Sequence, residues 1–228
     1  MKHREFKDRL YGELARVAKA MDSPRRLEIV DLLAQGERSV EDLAAEAGLS
    51  IANASRHLQI LRTARMVETR KHGLRVYYRL AEPQVHELAR AVHALARRRL
   101  AEVDRLAKDH LGSRDELEPV SREDLLLRVR QGRAVVIDVR PQQEYHAGHI
   151  AGAISVPLDQ LGKRVRELPA RKEIVAYCRG PYCVFAYEAV SRLRARGRRA
   201  LRLVDGLPEW RAAGLPVEVS REARRAEV

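Results

Sequence analysis

Two cysteines in 228 residues are too few for a disulfide scaffold and point to a reducing compartment, and with 4% aromatic residues any core must be built from Leu, Val, Ile and Ala. No apolar run approaches the ~18–20 residues that span a membrane, and Met1-Lys2-His3-Arg4-Glu5 has no signal-peptide core, so the expectation is a soluble, cytoplasmic chain of two small domains with no membrane partner. The net charge of +12 suits a nucleic-acid partner, yet residues 1–112 and 113–228 each hold 22 Lys or Arg against 16 Asp or Glu, so net charge does not say which half meets DNA.

Phe6, Leu10, Leu14, Val17 and Met21 recur at helical spacing and predict an amphipathic helix over 5–21. Ser23-Pro24 supplies the N-cap and first position of a second helix, 25–35, which Gly36 ends. Ser39 caps a third helix through Ala47, stopped by Gly48, and Ser50 caps a fourth over about 51–64. The period then becomes alternating: 66–70 and 74–80 flank Lys71-His72-Gly73, which predicts a β-hairpin. One long helix is expected from about Pro83 to Leu111, and the pattern breaks at Gly112-Ser113-Arg114-Asp115-Glu116, placing a domain boundary between 112 and 113. Beyond it, apolar strands at 134–138, 153–156, 173–177 and 200–204 alternate with helical segments such as 185–196. That alternation predicts an α/β domain with a largely parallel sheet. The charged residues 220–228 read as a frayed end.

The helices at 39–47 and 50–64, joined by Gly48-Leu49, have helix-turn-helix spacing, in which the second helix enters the major groove. Ala54, Leu58 and Leu61 share its inward face, while Asn53, Arg56, His57 and Gln59 lie mostly off it. Asn and Arg side chains pair with adenine and guanine edges, and Arg70, Lys71, His72 and Arg75 at the hairpin tip would reach phosphates or the minor groove. Residues 51–79 hold seven Lys or Arg against Glu68 alone, a footprint suited to phosphate binding; the bland alternative is a solvated basic surface.

These segments resemble the ArsR/SmtB family of winged-helix repressors over about residues 5–110. The resemblance rests on Ser23-Pro24-Arg25-Arg26-Leu27-Glu28-Ile29, Asp42-Leu43-Ala44, and Leu49-Ser50 with Ser55-Arg56-His57-Leu58-Gln59-Ile60-Leu61, and the wing ending Tyr77-Tyr78-Arg79-Leu80 completes it. It implies a winged helix, adds Ser55 to the DNA-facing set, and implies a homodimer on a pseudo-palindromic double-stranded operator. Paired terminal helices would then cover the apolar stripe Val85, Leu88, Val92, Leu95, Val103 and Leu106. This chain departs from the family in three places. Arg65 stands where many relatives have Gly, which leaves the end of the recognition helix less sharply specified. Ser39-Val40-Glu41-Asp42-Leu43 has no Cys, and no thiol precedes Cys178, so a Cys-based sensor in this half is excluded. His86 and His93 lack acidic partners at the family's spacing and read as interface or surface residues, so neither a metal nor a cofactor is expected.

Both cysteines lie in Val175-Ala176-Tyr177-Cys178-Arg179-Gly180-Pro181-Tyr182-Cys183, between a strand's end and a helix's start. That position aims backbone N–H groups and the positive helix end at the Cys178 sulfur, and Arg179 adds charge; together they favour a thiolate. Gly180 would let the backbone turn into a cradle able to hold a persulfide anion. The surroundings resemble the rhodanese family over about residues 117–218. The matching motifs are Val136-Ile137-Asp138-Val139-Arg140, Glu144-Tyr145, Gly148-His149-Ile150-Ala151-Gly152-Ala153, Val156-Pro157, Asp205-Gly206-Leu207-Pro208-Glu209-Trp210 and Gly214-Leu215-Pro216. The resemblance implies that Cys178 takes sulfane sulfur from a donor such as thiosulfate or a persulfide, in a loop that includes Tyr182, with Asp138 and Arg140 supporting the wall. His149 reads as a structural histidine. Val184 stands at the sixth position after Cys178, where phosphatases and arsenate reductases of this fold need Arg, so oxyanion chemistry is disfavoured. Arg179 has two readings, an attractor for an anionic donor or an outward solvated side chain. Cys183 also has two, a buried helix-start residue or a resolving thiol that bridges to Cys178. The function that fits is a repressor whose rhodanese-like domain senses sulfane sulfur through Cys178. The alternatives are a sulfurtransferase that also regulates its own gene, and a domain that merely binds a ligand, which the Cys loop disfavours.

Overall fold

The winged helix-turn-helix expected of the first half and the parallel α/β domain expected of the second are both present in the computed structural model, which describes residues 3–111 and 119–220. The predicted linker at 112–118 and most of the predicted frayed end lie outside those residues. Contacts divide the chain into two compact units between Arg99 and Leu100.

In the first unit, α1 (His3–Met21) leads to α2 (Pro24–Leu33), β1 (Arg38–Ser39), α3 (Val40–Glu46) and α4 (Ile51–Thr63). The polar caps act as the sequence predicts: the Asp42 N–H donates to the Ser39 hydroxyl at 3.1 Å and the Asn53 N–H to the Ser50 hydroxyl at 3.3 Å. The hairpin follows as β2 (Val67–His72) and β3 (Arg75–Leu80). Its register pairs His72 with Arg75, so the turn is Gly73-Leu74, later than expected; Gly73 carries the positive φ of 59° that a two-residue turn with glycine first demands. β1 joins β3, giving an antiparallel sheet in the order β1-β3-β2. Ile29 and Val30 of α2, Leu43 of α3 and Leu58 and Leu61 of α4 close a core with Met66, Val67 and Tyr78.

Two apolar stripes are left over. On α1 only Ala20 and Met21 are buried, while Phe6, Leu10, Leu14 and Val17 stay exposed. On α5 (Pro83–Arg99), Val85 and Ala89 enter the core and Leu88, Val92 and Leu95 stay outside. The single helix expected to Leu111 is in fact two, since Leu100 interrupts it before α6 (Ala101–Leu111). Arg97, Arg98 and Arg99 suit a helix C-terminus and Glu102 and Asp104 an N-terminus, so the macrodipoles favour a stop and a new start. The expected interface stripe is therefore discontinuous: Val85 is core, and Val103 and Leu106 belong to α6 in the second unit.

The second unit continues with β4 (Pro119–Val120), α7 (Arg122–Arg130), β5 (Ala134–Asp138), α8 (Gln142–Ala147), β6 (His149–Ile150), β7 (Ile154–Ser155) and α9 (Leu161–Arg164). It ends with β8 (Glu173–Tyr177), α10 (Val184–Arg194), β9 (Ala200–Leu203), α11 (Leu207–Ala212) and β10 (Val217–Glu218). The main sheet runs β4-β9-β8-β5-β7 with every pairing parallel; β6 and β10 form a separate antiparallel pair. Strand alternation sorts the core onto the two faces. Ile137, Ile174 and Ala176 pack with Ala189 and Val190 of α10, while Val136, Val175 and Tyr177 pack with Leu125 and Trp210. Because the strands are parallel, the ends of β5, β8 and β9 fall on one edge, where open α/β sheets place their ligands. Among the described residues no helix is long and apolar enough to cross a membrane.

Candidate functional site

At that edge β8 ends at Tyr177 and the chain turns through the cysteine loop into α10. Cys178 is buried, on the α10 side of the sheet, and Cys183 is half-buried as the N-cap residue of α10. The two are joined as a disulfide with 6.2 Å between Cα atoms, so the expected free thiolate is not the state present, and Cys183 is not an inert helix-start residue. The Cys183 N–H donates to the Gly180 carbonyl at 3.1 Å, closing the turn and removing one donor from the expected anion cradle.

The glycine on which the loop depends is not Gly180. A Cβ at Gly180 would meet only Glu209 Oε2 at 3.9 Å, an ordinary contact, and its φ is not positive. A Cβ at Gly206, in contrast, would lie 2.4 Å from the Arg179 carbonyl carbon and 2.4 Å from the Gly180 nitrogen. Gly206 lets the segment between β9 and α11 press against the loop, where the Leu207 N–H donates to the Cys178 carbonyl at 3.3 Å.

Both chain neighbours of Cys178 belong to one buried polar network. The Tyr177 hydroxyl donates to Asp138 Oδ2 and accepts the Ile150 N–H at 3.1 Å. Asp138 and Arg140, both fully buried, pair through Nε–Oδ1 at 2.9 Å and Nη2–Oδ2 at 2.5 Å, and Arg140 also donates to the Gly148 carbonyl at 2.7 Å. Arg140 Nη1 lies 3.9 Å from Glu144, and Glu144 takes Arg179 through Nε at 2.9 Å and Nη2 at 2.5 Å. Two carboxylates and two guanidiniums alternate, so the buried charges compensate one another. Burial works against the Arg140 charge, but the Asp138 hydrogen bond and charge, with Tyr177 and Glu144, outweigh it and raise the Arg140 pKa. Burial and the Asp138 charge push Tyr177 well above the usual phenol range, keeping it a hydrogen-bond donor.

Arg179 is not an outward solvated side chain. The side chain is held by Glu144, a carboxylate 1% exposed that needs a partner, and lies 5.5 Å from the centroid of the Phe185 ring. Asp138 and Arg140 are fully buried, and Tyr182 is exposed. Sequence reasoning gave no role to Glu144, Tyr177 or Gly206; the Arg140–Glu144 spacing of four was the available signal. His149 is structural in geometry: Nδ1 is 2.8 Å from the Tyr145 carbonyl and the ring stacks on Tyr145 at 3.7 Å. Beside the loop, a cavity of about 390 Å³ opens between the ends of β5 and β7 and the start of α10. Its lining includes Val139, Pro141, Leu158, Phe185 and Asp159, with no basic side chain.

On the first unit, Asn53, Arg56 and Gln59 are exposed on α4, as are Lys71, His72 and Arg75 around the hairpin turn. Ser55 and His57 are half-buried. His57 Nδ1 is buried without a hydrogen-bond partner, and burial, then Arg26, Arg25 and Arg56, lower its pKa, so the ring is turned toward the protein and stays neutral. Arg70 is engaged by Glu37 (Nη2–Oε2 2.6 Å) and lies over Tyr77, and Arg79 by Glu68 at 2.7 Å. The end of α4 is sharply specified after all. Arg65 adopts φ 58°, its N–H donates to the Arg62 carbonyl at 2.9 Å, and the Met66 N–H reaches the Leu61 carbonyl at 3.0 Å, which is a Schellman ending with Arg in the glycine position. His86 and His93 do have an acidic partner, contributed by α2: their Nε2 atoms lie 3.5 and 3.7 Å from the Asp31 carboxylate. Among the described residues no group of three or more His, Cys, Asp or Glu could hold a metal ion.

Comparison with known proteins matches both halves. Residues 23–69 match the model for bacterial regulatory proteins of the arsR family, and residues 121–213 match the rhodanese-like domain. The HTH-type transcriptional regulator Rv0324 of Mycobacterium tuberculosis is 47% identical over 209 residues, 92% of each sequence. The biofilm growth-associated repressor of Xylella fastidiosa is 33% identical over 40% of this chain and 81% of its own length. A solved structure, the homodimeric winged helix-turn-helix DNA-binding domain of a possible ArsR-family regulator from Mycobacterium bovis, is 43% identical, covering 44% of this chain and 91% of that one, with a TM-score of 0.40. By its helix-turn-helix and its full-length similarity to an HTH-type regulator, the chain belongs to the arsR family of bacterial regulatory proteins, in a form that carries a rhodanese-like domain.

Proposed function

We propose that this regulator is a cytoplasmic repressor that binds a pseudo-palindromic operator as a homodimer and alters that binding when Cys178 takes up sulfane sulfur. The observation that carries the reading is the position of Cys178, at the C-terminal edge of a parallel sheet with both chain neighbours anchored in one buried network. Such anchoring lets a change of covalent state at one sulfur be felt through a rigid base. On the DNA side, Asn53, Arg56 and Gln59 read base edges, with Ser55 at their flank, and Lys71 and Arg75 meet the backbone. Arg70 reaches DNA only by leaving Glu37, and His57 positions α4 from inside. The exposed stripes of α1 and α5 supply the dimer surface.

Because Arg179 is neutralised by Glu144 and the adjacent cavity carries Asp159 without a basic partner, a low-molecular-weight persulfide suits the site better than the thiosulfate dianion. The bridged cysteine pair favours sensing over steady turnover, since a bridged nucleophile is out of the catalytic cycle. A gel-shift titration with and without a persulfide donor tests the reading: wild-type binding shifts and Cys178→Ala does not. Equal responses would remove Cys178 from signalling.

A further inference from the structure

The loop that would accept sulfur also holds the group that can discharge it. Cys178 and Cys183 are the chain's two cysteines, and the backbone already sets their Cα atoms 6.2 Å apart, within the span of a disulfide. Two groups that could hold a persulfide anion at Cys178 are engaged elsewhere. Arg179 is committed to Glu144, and the Cys183 N–H to the Gly180 carbonyl. Cys183, by contrast, is the N-cap residue of α10, an eleven-residue helix whose positive end favours a thiolate there. Cys183 is already inside the loop, five residues along the chain from Cys178, so it meets the Cys178 sulfur without diffusing to it.

We propose that Cys183 is the acceptor for the Cys178 persulfide, so that the sulfane sulfur leaves as sulfide and the loop records the event as the Cys178–Cys183 disulfide. This deepens the sulfur-sensing reading and rests on it. In the first step the Cys178 thiolate attacks the sulfane sulfur of R–S–SH; the new S–S bond gives Cys178–S–SH, the donor's own S–S bond breaks, and R–S⁻ departs with the electron pair. In the second, the Cys183 thiolate attacks Cys178 Sγ; the Sγ–Sγ bond forms, the bond to the terminal sulfur breaks, and hydrosulfide departs with the electron pair and takes up the proton that Cys183 lost. The sum is Cys178–S–SH plus Cys183–SH giving the disulfide plus hydrogen sulfide. The two thiols lose two electrons, the donor's sulfane sulfur gains them, and no other oxidant enters. Two equivalents of a thiol reductant return the loop to the dithiol.

The test treats the fully reduced full-length chain with glutathione persulfide under anaerobic conditions, then reads intact mass and released sulfide. Wild type is expected to end two hydrogens lighter than the dithiol, with about one sulfide per chain, the limit set by a single in-loop acceptor. Cys183→Ser and, as a second variant against misfolding, Cys183→Ala are expected to accumulate the species one sulfur heavier, with sulfide release slower by about tenfold or more. A wild-type chain that accumulates a stable persulfide and releases no sulfide overturns the inference while leaving sulfur uptake at Cys178 intact. If neither wild type nor the variants gain or reduce sulfur, the uptake reading itself falls, and the inference with it.

Discussion

Replacing Arg65 with glycine should make the first unit more stable, although it removes a large side chain and a charge. Arg65 sits at φ 58°, and its exposed side chain makes no hydrogen bond or ion pair among the described residues. A left-handed conformation costs an L-residue roughly 1–2 kcal/mol, and glycine returns about 0.4–1 kcal/mol of that through its freer unfolded chain. The net gain is about 0.5–1 kcal/mol, which for a unit of this size raises the melting transition by roughly 2–8 °C. Hydrogen exchange at the amides of α4 and β2, read in the full chain, would localise the change. Arg65→Asn, which also tolerates the left-handed region, should move the same way by a smaller amount. A glycine variant that is equal or less stable would refute the assignment of strain at this helix end.

Gly206→Ala should destabilise the second unit by about 1–3 kcal/mol through overpacking, because its Cβ meets the loop backbone at 2.4 Å; unchanged melting would show that the loop yields freely. Glu144→Gln leaves the half-buried Arg179 and the buried Arg140 short of a carboxylate and should cost about 3 kcal/mol in denaturant titration, a loss below about 1 kcal/mol contradicting the network. His57 has a lowered pKa in the folded chain, so the unfolded state binds its proton first. Its contribution is complete above the ordinary imidazole value of 6.5 and is lost as pH falls below it; a His57→Gln variant should flatten that part of the stability profile. Leu14→Glu and Leu95→Glu, on the exposed stripes of α1 and α5, should shift sedimentation toward the monomer, and an unchanged dimer would place the interface elsewhere.

The elements were legible wherever a local signal sets local structure. Ser39 and Ser50 announce the starts of α3 and α4 as side-chain caps, and the near-continuous apolar runs 134–138 and 173–177 announce strands buried on both faces. The break at Leu100 was missed because it uses neither Gly nor Pro; its signal is the charge reversal from Arg97–Arg99 to Glu102 and Asp104. Much of the site's chemistry was less visible because it depends on contacts between distant segments. Arg179 meets Glu144 from 35 residues away, and Gly206 is required by the Arg179–Gly180 backbone rather than by its own turn. Composition around Cys178 suggested a free thiolate in a basic cradle, whereas the fold commits the charge to a buried carboxylate and the thiol to Cys183.

The most direct test of sulfur-controlled DNA binding is the ratio of operator dissociation constants with and without glutathione persulfide. It is measured by fluorescence anisotropy at one fixed salt concentration on a duplex selected by the wild-type chain from random sequence. Coupling between two sites is commonly worth about 1–3 kcal/mol, so the wild-type ratio should depart from unity by roughly 5–150-fold and the Cys178→Ala ratio should stay at one. A wild-type ratio of one, or the same departure in Cys178→Ala, would contradict the account.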